Sequence, residues 1–343
     1  MTNRQWIYAK PIEGKLATDN FEMRQTPVPT IRQGQTLVRN KVISLDPANR
    51  TYFKYQGYRP KLHVGEAMHG FGVGEVVETR DYRFKVGDIV HGDMEWADYS
   101  IINSYDRAEF FYKCTPGYSE EDLVGALGIP GLTAFFGLEK LGPLRAGQTV
   151  VVAGATGACG TILGQLAKIA GCRVIGFGGG IEKCQWLVDE LGFDDAVDYK
   201  SEDVAADLAS KCPDGVDFFS DATGGIVTTA TLPAMNKNAP WYHFGEITTY
   251  DDPANNRGIL TGNGLTPELK ALCDRQNLKP RFLLVFDYYC ERIRAEKILA
   301  SYMKEGRLKA PKTVLEGLEK LPSALVDGTF GSNRIGKLSV RIS

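Results

Sequence analysis

The sequence predicts an α/β protein in which a compact β domain is followed by a doubly wound parallel sheet. Three observations support this prediction. The chain has 343 residues, which is enough for two domains that each bury a sizeable core. Residues 1–122 contain short β-type runs broken by glycine and proline. From residue 123 onward, buried strand patterns alternate with helical patterns, which is typical of a parallel sheet with helices on both faces.

The composition argues against several classes of protein. Charged residues make up 24% of the chain and hydrophobic residues 43%, and the net charge is -2, unlike disordered or nucleic-acid-binding chains. The N-terminal segment MTNRQWIYAKPIEG lacks the apolar core of a signal peptide, and no run of about 18 apolar residues occurs. We therefore expect a cytoplasmic protein without nucleic-acid or membrane partners.

Cysteine and histidine usage argues against a metal site. The seven cysteines are an odd number without CxxC spacing, so we expect neither a disulfide framework nor a four-thiolate site. The four histidines lack the i, i+4 spacing and the nearby thiolates that zinc sites use. We therefore expect no bound metal. We interpret the four histidines as structural or surface residues, namely His63, His69, His91 and His243.

The β domain is predicted from four runs that each combine β-type residues with flanking turn residues. These runs are QTLVRNKVISL, FGVGEVVET, VGDIVHG and WADYSIIN. The closing run RIGKLSVRI alternates like an edge or half-buried strand, and we expect it to return to this domain.

The parallel sheet is predicted from apolar strand patterns and the helices between them. The segment EEDLVGALGIPGLTAFFGLEKLG is expected to be helical with an interruption at Pro-Gly. The predicted strands are QTVVVAGA, CRVIGF, DAVDY, VDFFSDA, APWYHFG and RFLLVF. The predicted helices are GTILGQLAKIAG, EKCQWLVDELG, EDVAADLASKC and ERIRAEKILASYMKEGRL.

A glycine-rich turn joins the first strand of this sheet to its helix. Ala155, Gly157 and Gly160 occupy the three positions of an A/GxGxxG pattern. Small residues there permit a tight turn, let a pyrophosphate approach the backbone, and bring the helix against the strand. Between a strand and an amphipathic helix the pattern favours dinucleotide binding, and the alternative is a tight turn without a ligand.

The second strand ends without the acidic residue that would hold a ribose 2′-hydroxyl. An NAD-preferring site places Asp or Glu at that position, whereas this chain has Gly178. The following segment GGGIEK offers open backbone and, five residues on, the ammonium of Lys183. This combination favours NADPH over NADH, the alternative being that Lys183 is an ordinary solvated helix residue.

Several segments spread over nearly the whole chain carry a family resemblance. They are SLDPANR, GFGVGEVVE, FKVGDIVHG, WADY, LGIPGLTAFFGL, AGATGACGTILGQLAKIAGCRVIG, LGFDDAVDYK, DATGG and GSNRIGKLSV. With them the chain resembles the zinc-free enone reductases of the medium-chain dehydrogenase/reductase superfamily, namely the leukotriene B4 dehydrogenase, prostaglandin reductase and plant alkenal double-bond reductase family. PGLTAFFGL and the glycine-turn segment are the most specific of these matches.

The resemblance implies a GroES-like β domain at 1–122, completed by 310–343, and a Rossmann NADPH-binding domain at 123–309. It also implies that the nicotinamide lies between the two domains. For each aromatic residue the alternative is ordinary packing. The implied cofactor-binding residues are Thr133 near the nicotinamide; Gly157, Ala158, Cys159 and Gly160 at the diphosphate; Gly178, Lys183 and Tyr199 at the 2′-phosphate end; Phe244, Gly245 and Tyr250 in the loop 244–250; Phe282, Leu283 and Leu284 beside the nicotinamide; and Asn333 over it.

The chain departs from the family pattern at residues expected near the substrate. Two family tyrosines fall at Ala48 and Asp274, and the asparagine of a DNVGG motif falls at Ala222. These departures leave the proton donor open. Tyr52 and Tyr250 are the replacement candidates for stabilising the enolate, and solvent is the alternative source of the proton.

Together these features predict an enzyme that reduces the C=C bond of an enone or enal with NADPH, by hydride transfer to the β-carbon without zinc. Zinc-dependent alcohol oxidation is not expected, because Cys114 is the only cysteine before Cys159. One alternative is an NADPH-dependent quinone oxidoreductase. Another, from a different class, is a non-catalytic cofactor-binding protein. The RFLLVF strand, residues 281–286, could pair across a homodimer as in relatives.

Overall fold

The computed structural model describes residues 2–54, 57, 59–103, 110–250, 265–328 and 334–342. It contains two compact units. The first unit comprises Met1–Gly128 and Lys312–Ser343, and the second comprises Ile129–Pro311. The sequence-based domain assignment, with the function given to each part, stays a prediction.

The first unit is built mainly of strands. Its helices are α1 (Glu120–Val124) and α9 (Leu321–Gly328), with 3-10 turns at Thr18–Asn20, Pro47–Thr51 and Leu318–Lys320. Its strands are β1 (Thr2–Tyr8), β2 (Phe21–Pro27), β3 (Gln35–Ser44), β4 (His69–Thr79), β5 (Ile89–Glu95), β6 (Tyr99–Asn103), β7 (Tyr112–Lys113), β14 (Lys312–Glu316) and β15 (Lys337–Arg341).

Strand β3 organises the sheet of the first unit. The sheet has the order β14-β15-β3-β4-β5-β7, and β6 also pairs with β3. The first part of β3 pairs with β6, while its end pairs antiparallel with β15, from Ser44 opposite Ser339 to Val42 opposite Arg341. The closing strand of the chain is therefore hydrogen-bonded into the N-terminal sheet. Strands β1 and β2 form a separate antiparallel hairpin.

The second unit alternates strands with helices. Its strands are β8 (Thr149–Val152), β9 (Arg173–Gly178), β10 (Asp195–Asp198), β11 (Phe218–Asp221), β12 (Trp241–His243) and β13 (Pro280–Arg281). Its helices are α2 (Ile129–Leu141), α3 (Ala158–Ile169), α4 (Ile181–Leu191), α5 (Val204–Lys211), α6 (Gly225–Thr231), α7 (Pro267–Gln276) and α8 (Arg292–Lys304). Among the described residues of this unit, 3-10 turns lie at Leu232–Ala234, Ile247–Thr249 and Val285–Glu291.

All strand pairs of this second sheet are parallel, in the order β10-β9-β8-β11-β12-β13. Every residue of β8 and β11 is buried, as expected for central strands covered by helices on both faces. The strand order reverses direction between β8 and β11. In open parallel sheets, ligands bind outside the carboxyl ends of the strands at such a point. The predicted fold class, a β domain plus a Rossmann domain, is confirmed.

Two local predictions are wrong. The predicted strand at 281–286 ends at Arg281, where its pairing with Tyr242 of β12 is the last one. Leu283 and Val285 are buried all the same, and an apolar run alone cannot distinguish a strand from such packing. The predicted helical segment is interrupted, but at 125–128 between α1 and α2 and not at Pro130, which lies in the first turn of α2, where its missing N–H is tolerated.

Among the helices that the structure describes, none is long and apolar enough to cross a membrane.

Candidate functional site

The turn after β8 is shaped by close approaches of the backbone. Gly154 has φ +59°, a left-handed conformation that favours glycine. The Gly157 amide donates to the Gly154 carbonyl at 2.9 Å. A Cβ on Gly160 would lie 2.3 Å from that same carbonyl oxygen and 2.8 Å from the Cα of Ala155. The last glycine is therefore required for the packing of α3 on the turn, and the sequence analysis missed the part played by Gly154.

The first turn of α3 offers main-chain amides without a competing side-chain cap. Gly157 is the N-cap residue, and no side chain accepts a hydrogen bond there. Gly157, Ala158 and Cys159 are half-buried, whereas Gly160 is buried. A helix N-terminus carries a partial positive charge and unsatisfied N–H groups. The turn therefore fits the diphosphate of a dinucleotide.

The end of β9 has no room for a side chain. A Cβ on Gly178 would lie 2.8 Å from the Sγ of Cys184 and 3.0 Å from its backbone nitrogen. A Cβ on Gly179 would lie 2.5 Å from the hydroxyl oxygen of Tyr199, and Gly180 has φ +111°. The missing acidic residue therefore has a structural cause, since α4 begins against this glycine.

Positively charged side chains lie beside this glycine run. Lys183 is half-buried on α4, and burial lowers its pKa below the usual 10.5. The like charge of Lys200, which follows β10, lowers that pKa further. Tyr199 lies over Gly179, and its amide donates to the Gly178 carbonyl at 3.1 Å. Sequence analysis missed Lys200, although it adjoins the tyrosine of VDYK.

One carboxylate does lie close to this place, on the neighbouring strand. Asp198 is paired in register with Gly178. Its Oδ1 accepts from the Gly180 amide and from the Lys200 amide, each at 2.9 Å. Asp198 therefore fixes the two backbone segments that present Lys183 and Lys200.

Tyr242 on β12 connects several of the predicted cofactor residues. Its hydroxyl donates to the Thr133 carbonyl of α2 at 3.2 Å, and its ring centroid lies 4.7 Å from that of Phe244. Burial raises the pKa of Tyr242 well above 10, and the nearby Cys159 raises it further. The structure thus brings Thr133, Cys159 and Phe244 around one buried phenol that the sequence analysis did not select.

The loop 244–250 packs on the turn after β11. Gly245 is needed at this contact, because a Cβ there would lie 3.0 Å from the Ala222 carbonyl oxygen and 3.3 Å from the hydroxyl of Tyr250. That hydroxyl accepts from the Glu246 amide at 3.4 Å. Tyr250 is half-buried, so its phenol belongs to this loop and not to a core.

A buried ionic cluster lies beneath the same loop. His243 is fully buried, with its Nδ1 3.1 Å from Asp221 Oδ2 and its Nε2 3.3 Å from Glu246 Oε1. Burial alone would lower the pKa of His243, but the two carboxylates outweigh it and raise that pKa to about 9. The sequence patterns led to His243 being interpreted as a structural or surface residue. Glu246 follows it by three residues, but Asp221 comes from a different strand, so no spacing pattern indicates the cluster.

Tyr52, in the first unit, has a different environment from Tyr250. It is 3% exposed and belongs to the core of that unit. The guanidinium carbon of Arg59 lies 4.6 Å from the centre of its ring, and Arg59 is paired with Asp93 at 3.2 Å. The predicted pair Tyr52 and Tyr250 therefore comes from two separate units.

The remaining predicted positions are less informative. Phe282, just after β13, is 55% exposed, whereas Leu283 is buried and Leu284 half-buried. Asp274 is exposed on α7, and Ala48 lies in the 3-10 turn Pro47–Thr51. Asn333 lies outside the described residues.

Across the described parts of the chain, no group of three or more His, Cys, Asp or Glu side chains is placed to hold a metal ion.

Two family models match the chain. One, described as the N-terminal domain of oxidoreductase, matches residues 4–109. The other, described as zinc-binding dehydrogenase, matches residues 158–251 and therefore includes the glycine turn from Ala158 and the loop 244–250.

Curated relatives match over nearly their whole length. The chain is 33% identical over 344 residues to the NADPH-dependent curcumin reductase of Escherichia coli (strain K12), covering 99% of this chain and 97% of that protein. It is 32% identical over 340 residues to prostaglandin reductase 1 of Mus musculus, covering 98% of each. The crystal structure of CurA from Vibrio vulnificus in complex with NADPH is 31% identical, with a TM-score of 0.88 and 99% of each chain covered.

The packing at the end of β9 predicts the result of introducing an acid there. Gly178→Asp should destabilise the protein by about 1–3 kcal/mol, because its Cβ overlaps the start of α4. Gly178→Ala should lower the free energy of unfolding by most of the same amount, because the overlap involves the Cβ atom. Urea denaturation of the wild type and both variants measures these losses. An aspartate variant as stable as the wild type that also prefers NADH would contradict this account.

Proposed function

Because the chain belongs to the zinc-independent medium-chain dehydrogenase/reductase family, we propose that it is an NADPH-dependent reductase of α,β-unsaturated carbonyl compounds. Enones and enals are the proposed substrates, and the C=C bond is reduced without zinc. The observation that carries this proposal is the carboxyl edge of the second sheet, where an uncapped glycine turn lies one strand away from a glycine run flanked by Lys183 and Lys200.

The diphosphate end of the cofactor is proposed to bind at the start of α3. The amides of Ala158, Cys159 and Gly160 would hold it, because the N-cap has no side chain in competition. Gly157, whose own amide donates to the Gly154 carbonyl, would line the turn beside it. When bound, NADPH supplies the hydride that reaches the β-carbon of the substrate. The loop residues Phe244 and Gly245, with Thr133, Phe282–Leu284 and Asn333, stay proposed contacts of the nicotinamide end.

Selection of NADPH over NADH is proposed to depend on two lysines. Burial lowers the pKa of Lys183, and the like charge of Lys200 lowers it further. A 2′-phosphate dianion between them would relieve this repulsion and form charge-assisted hydrogen bonds. Tyr199, over Gly179, is positioned to add a hydroxyl donor. NADH lacks that phosphate and would gain nothing from the lysines.

The carbonyl oxygen of the substrate needs a donor as enolate charge develops on it. Of the two candidates, Tyr250 is favoured as the donor, because it is half-buried on the loop 244–250 while Tyr52 is enclosed in a core. The Glu246 amide donates to the Tyr250 oxygen, and accepting that bond polarises the O–H of the tyrosine.

We also propose that the enzyme is cytoplasmic and forms a homodimer. No disulfide links the seven cysteines, which suits a reducing compartment. Strand β13 ends the second sheet, and Phe282 beside it is 55% exposed, so this edge is a candidate contact between two copies. Light scattering of the purified protein would measure the mass of the assembly.

Mixing the protein with NADPH and a panel of enones, enals and quinones tests the proposed function. We expect oxidation of NADPH with enones and enals, and a product in which the C=C bond is saturated and the carbonyl retained. Turnover of quinones alone would instead support a quinone oxidoreductase. Tight NADPH binding without turnover of any acceptor would support a non-catalytic cofactor-binding protein.

Removing the proposed phosphate contacts should alter cofactor preference. Lys183→Ala should raise the KM for NADPH about tenfold or more and leave the KM for NADH nearly unchanged, because only NADPH has the phosphate. Lys200→Ala should act in the same direction. Lys304→Ala on α8 is the matched control for loss of one positive charge. Equal effects on both cofactors would contradict the assignment.

The two tyrosine candidates can be separated by substitution with phenylalanine. Tyr250→Phe should lower kcat about a hundredfold, which is typical for loss of a general acid or oxyanion donor. Tyr52→Phe keeps the ring in its core, and we expect a much smaller change in kcat. If neither variant slows turnover, solvent or another group supplies the proton.

A further inference from the structure

The three charged groups beneath the loop 244–250 have no role in the mechanism above. Asp221 ends β11, His243 ends β12, and Glu246 lies in the loop that follows. Their exposed fractions are 0%, 0% and 5%. Buried ionisable groups are costly unless they are paired, so a cluster of three at the ligand-binding edge of the sheet needs an explanation.

The hydrogen bonds within this cluster favour two carboxylates and one imidazolium. Asp221 accepts from the Thr228 hydroxyl at 2.6 Å and from the amides of Thr223 and Gly224, each at 3.1 Å. Although burial raises the pKa of Asp221, the bonds from His243, Thr228 and Gly224 bring it below the usual value. With Glu246 on the other side of the ring, a protonated His243 lies between two carboxyl groups.

The cluster lies where two ligand-facing segments meet. The Phe244 amide donates to the Asp221 carbonyl at 2.9 Å, and the Thr248 amide and hydroxyl donate to the Thr223 carbonyl at 3.1 and 2.7 Å. The turn after β11 and the loop 244–250 are thus joined at their surface by these bonds. The imidazole joins the same two segments from below, through Asp221 and Glu246.

We propose that His243 is a positioning residue for NADPH binding, which as an imidazolium neutralises one of two buried carboxylates and holds the loop 244–250 on the turn after β11. This inference rests on the proposed function, because that loop is the proposed nicotinamide contact. Without the imidazolium, two like charges would remain under the loop. They would repel each other and also the anionic cofactor.

The titratable groups that face His243 are few. From β11 the ring meets Asp221, and from the loop it meets Glu246. Its other described neighbours do not titrate, since Trp241 of β12 packs edge-on at 6.0 Å and Thr228 of α6 binds Asp221. The charge state of the cluster is therefore set by these three groups.

A double-substitution series tests whether charge, and not shape, is what His243 contributes. At neutral pH, His243→Gln should weaken NADPH binding about tenfold in a fluorescence titration, because two carboxylates are left unneutralised. Adding Glu246→Gln to that variant should restore NADPH affinity to within about threefold of the wild-type value, because it removes the surplus negative charge. Equal affinity of H243Q and wild type, or no recovery in H243Q/E246Q, would overturn the proposal.

His91→Gln is the matched control for loss of a buried imidazole. His91 is 1% exposed and lies between the rings of Phe71 and Tyr112, with centroids at 5.9 and 4.9 Å. We expect no change in its NADPH affinity. A tenfold loss in H91Q as well would mean that general destabilisation, and not the cluster, explains the effect of H243Q.

If His243→Gln does not fold, a measurement on the protein with His243 intact still tests the proposal. In ¹⁵N-histidine NMR, one of the four histidines should remain an imidazolium up to about pH 9 in the apo protein. Because the pKa of His243 in the folded protein lies above the usual 6.5, the stability that its charge gives the fold is complete below pH 6.5. This stability is lost as the pH rises through about 9. Glu246→Gln should lower the midpoint, and a neutral His243 at neutral pH would overturn the proposal.

Failure of this inference can be distinguished from failure of the proposed function. If wild type does not bind NADPH, the proposed function fails, while the NMR titration still reports the charge of His243. If wild type binds NADPH and reduces enones but the series leaves affinity unchanged, only the role of His243 is overturned.

Discussion

In the proposed function, the carboxyl edge of the parallel sheet receives an anionic ligand against main-chain atoms, and most features of the second unit follow from this constraint. Backbone N–H groups can reach a phosphate only where no side chain stands in the way. Gly160 meets this requirement because any Cβ would strike the Gly154 carbonyl, so the packing of α3 and the access of the ligand demand the same residue. At the end of β9 the start of α4 imposes a similar limit on Gly178. Packing and recognition are therefore met by the same glycines.

Charge is distributed unevenly along this edge. At the end of β9, burial and, after it, the like charge of Lys200 lower the pKa of Lys183, which makes its ammonium unfavourable without an anion nearby. Three strands away in the sheet order, at the end of β12, His243 is enclosed by two acids and gains a raised pKa. An anionic cofactor lying along the edge would meet two lysines at one end and two acids paired with one imidazole at the other.

The substrate end differs from the family pattern in ways that have local structural reasons. Asp274, where a family tyrosine was expected, is an exposed residue of α7, so a phenol is missing and a solvated carboxylate takes its place. Ala222, in place of an asparagine, uses only its carbonyl, which accepts from the Ile247 amide at 3.4 Å. The loop 244–250 supplies its own phenol in Tyr250. A donor carried by the loop itself would couple substrate activation to the position of that loop.

The sequence by itself determined what depends on neighbours along the chain. Alternating strand and helix patterns gave the parallel sheet, and the spacing of Ala155, Gly157 and Gly160 indicated the nucleotide turn, because both are properties of consecutive residues. It failed at 281–286, where pairing with β12 ends at Arg281, and at Pro130, which begins a helix instead of breaking one.

Only the tertiary structure decided which distant residues meet. Lys200 reaches Lys183 because β10 pairs with β9, and His243 lies between Asp221 and Glu246 because β11 pairs with β12. In a parallel sheet, strands that lie side by side are separated in sequence by a whole helix. Contacts at its carboxyl edge therefore leave no spacing pattern in the sequence.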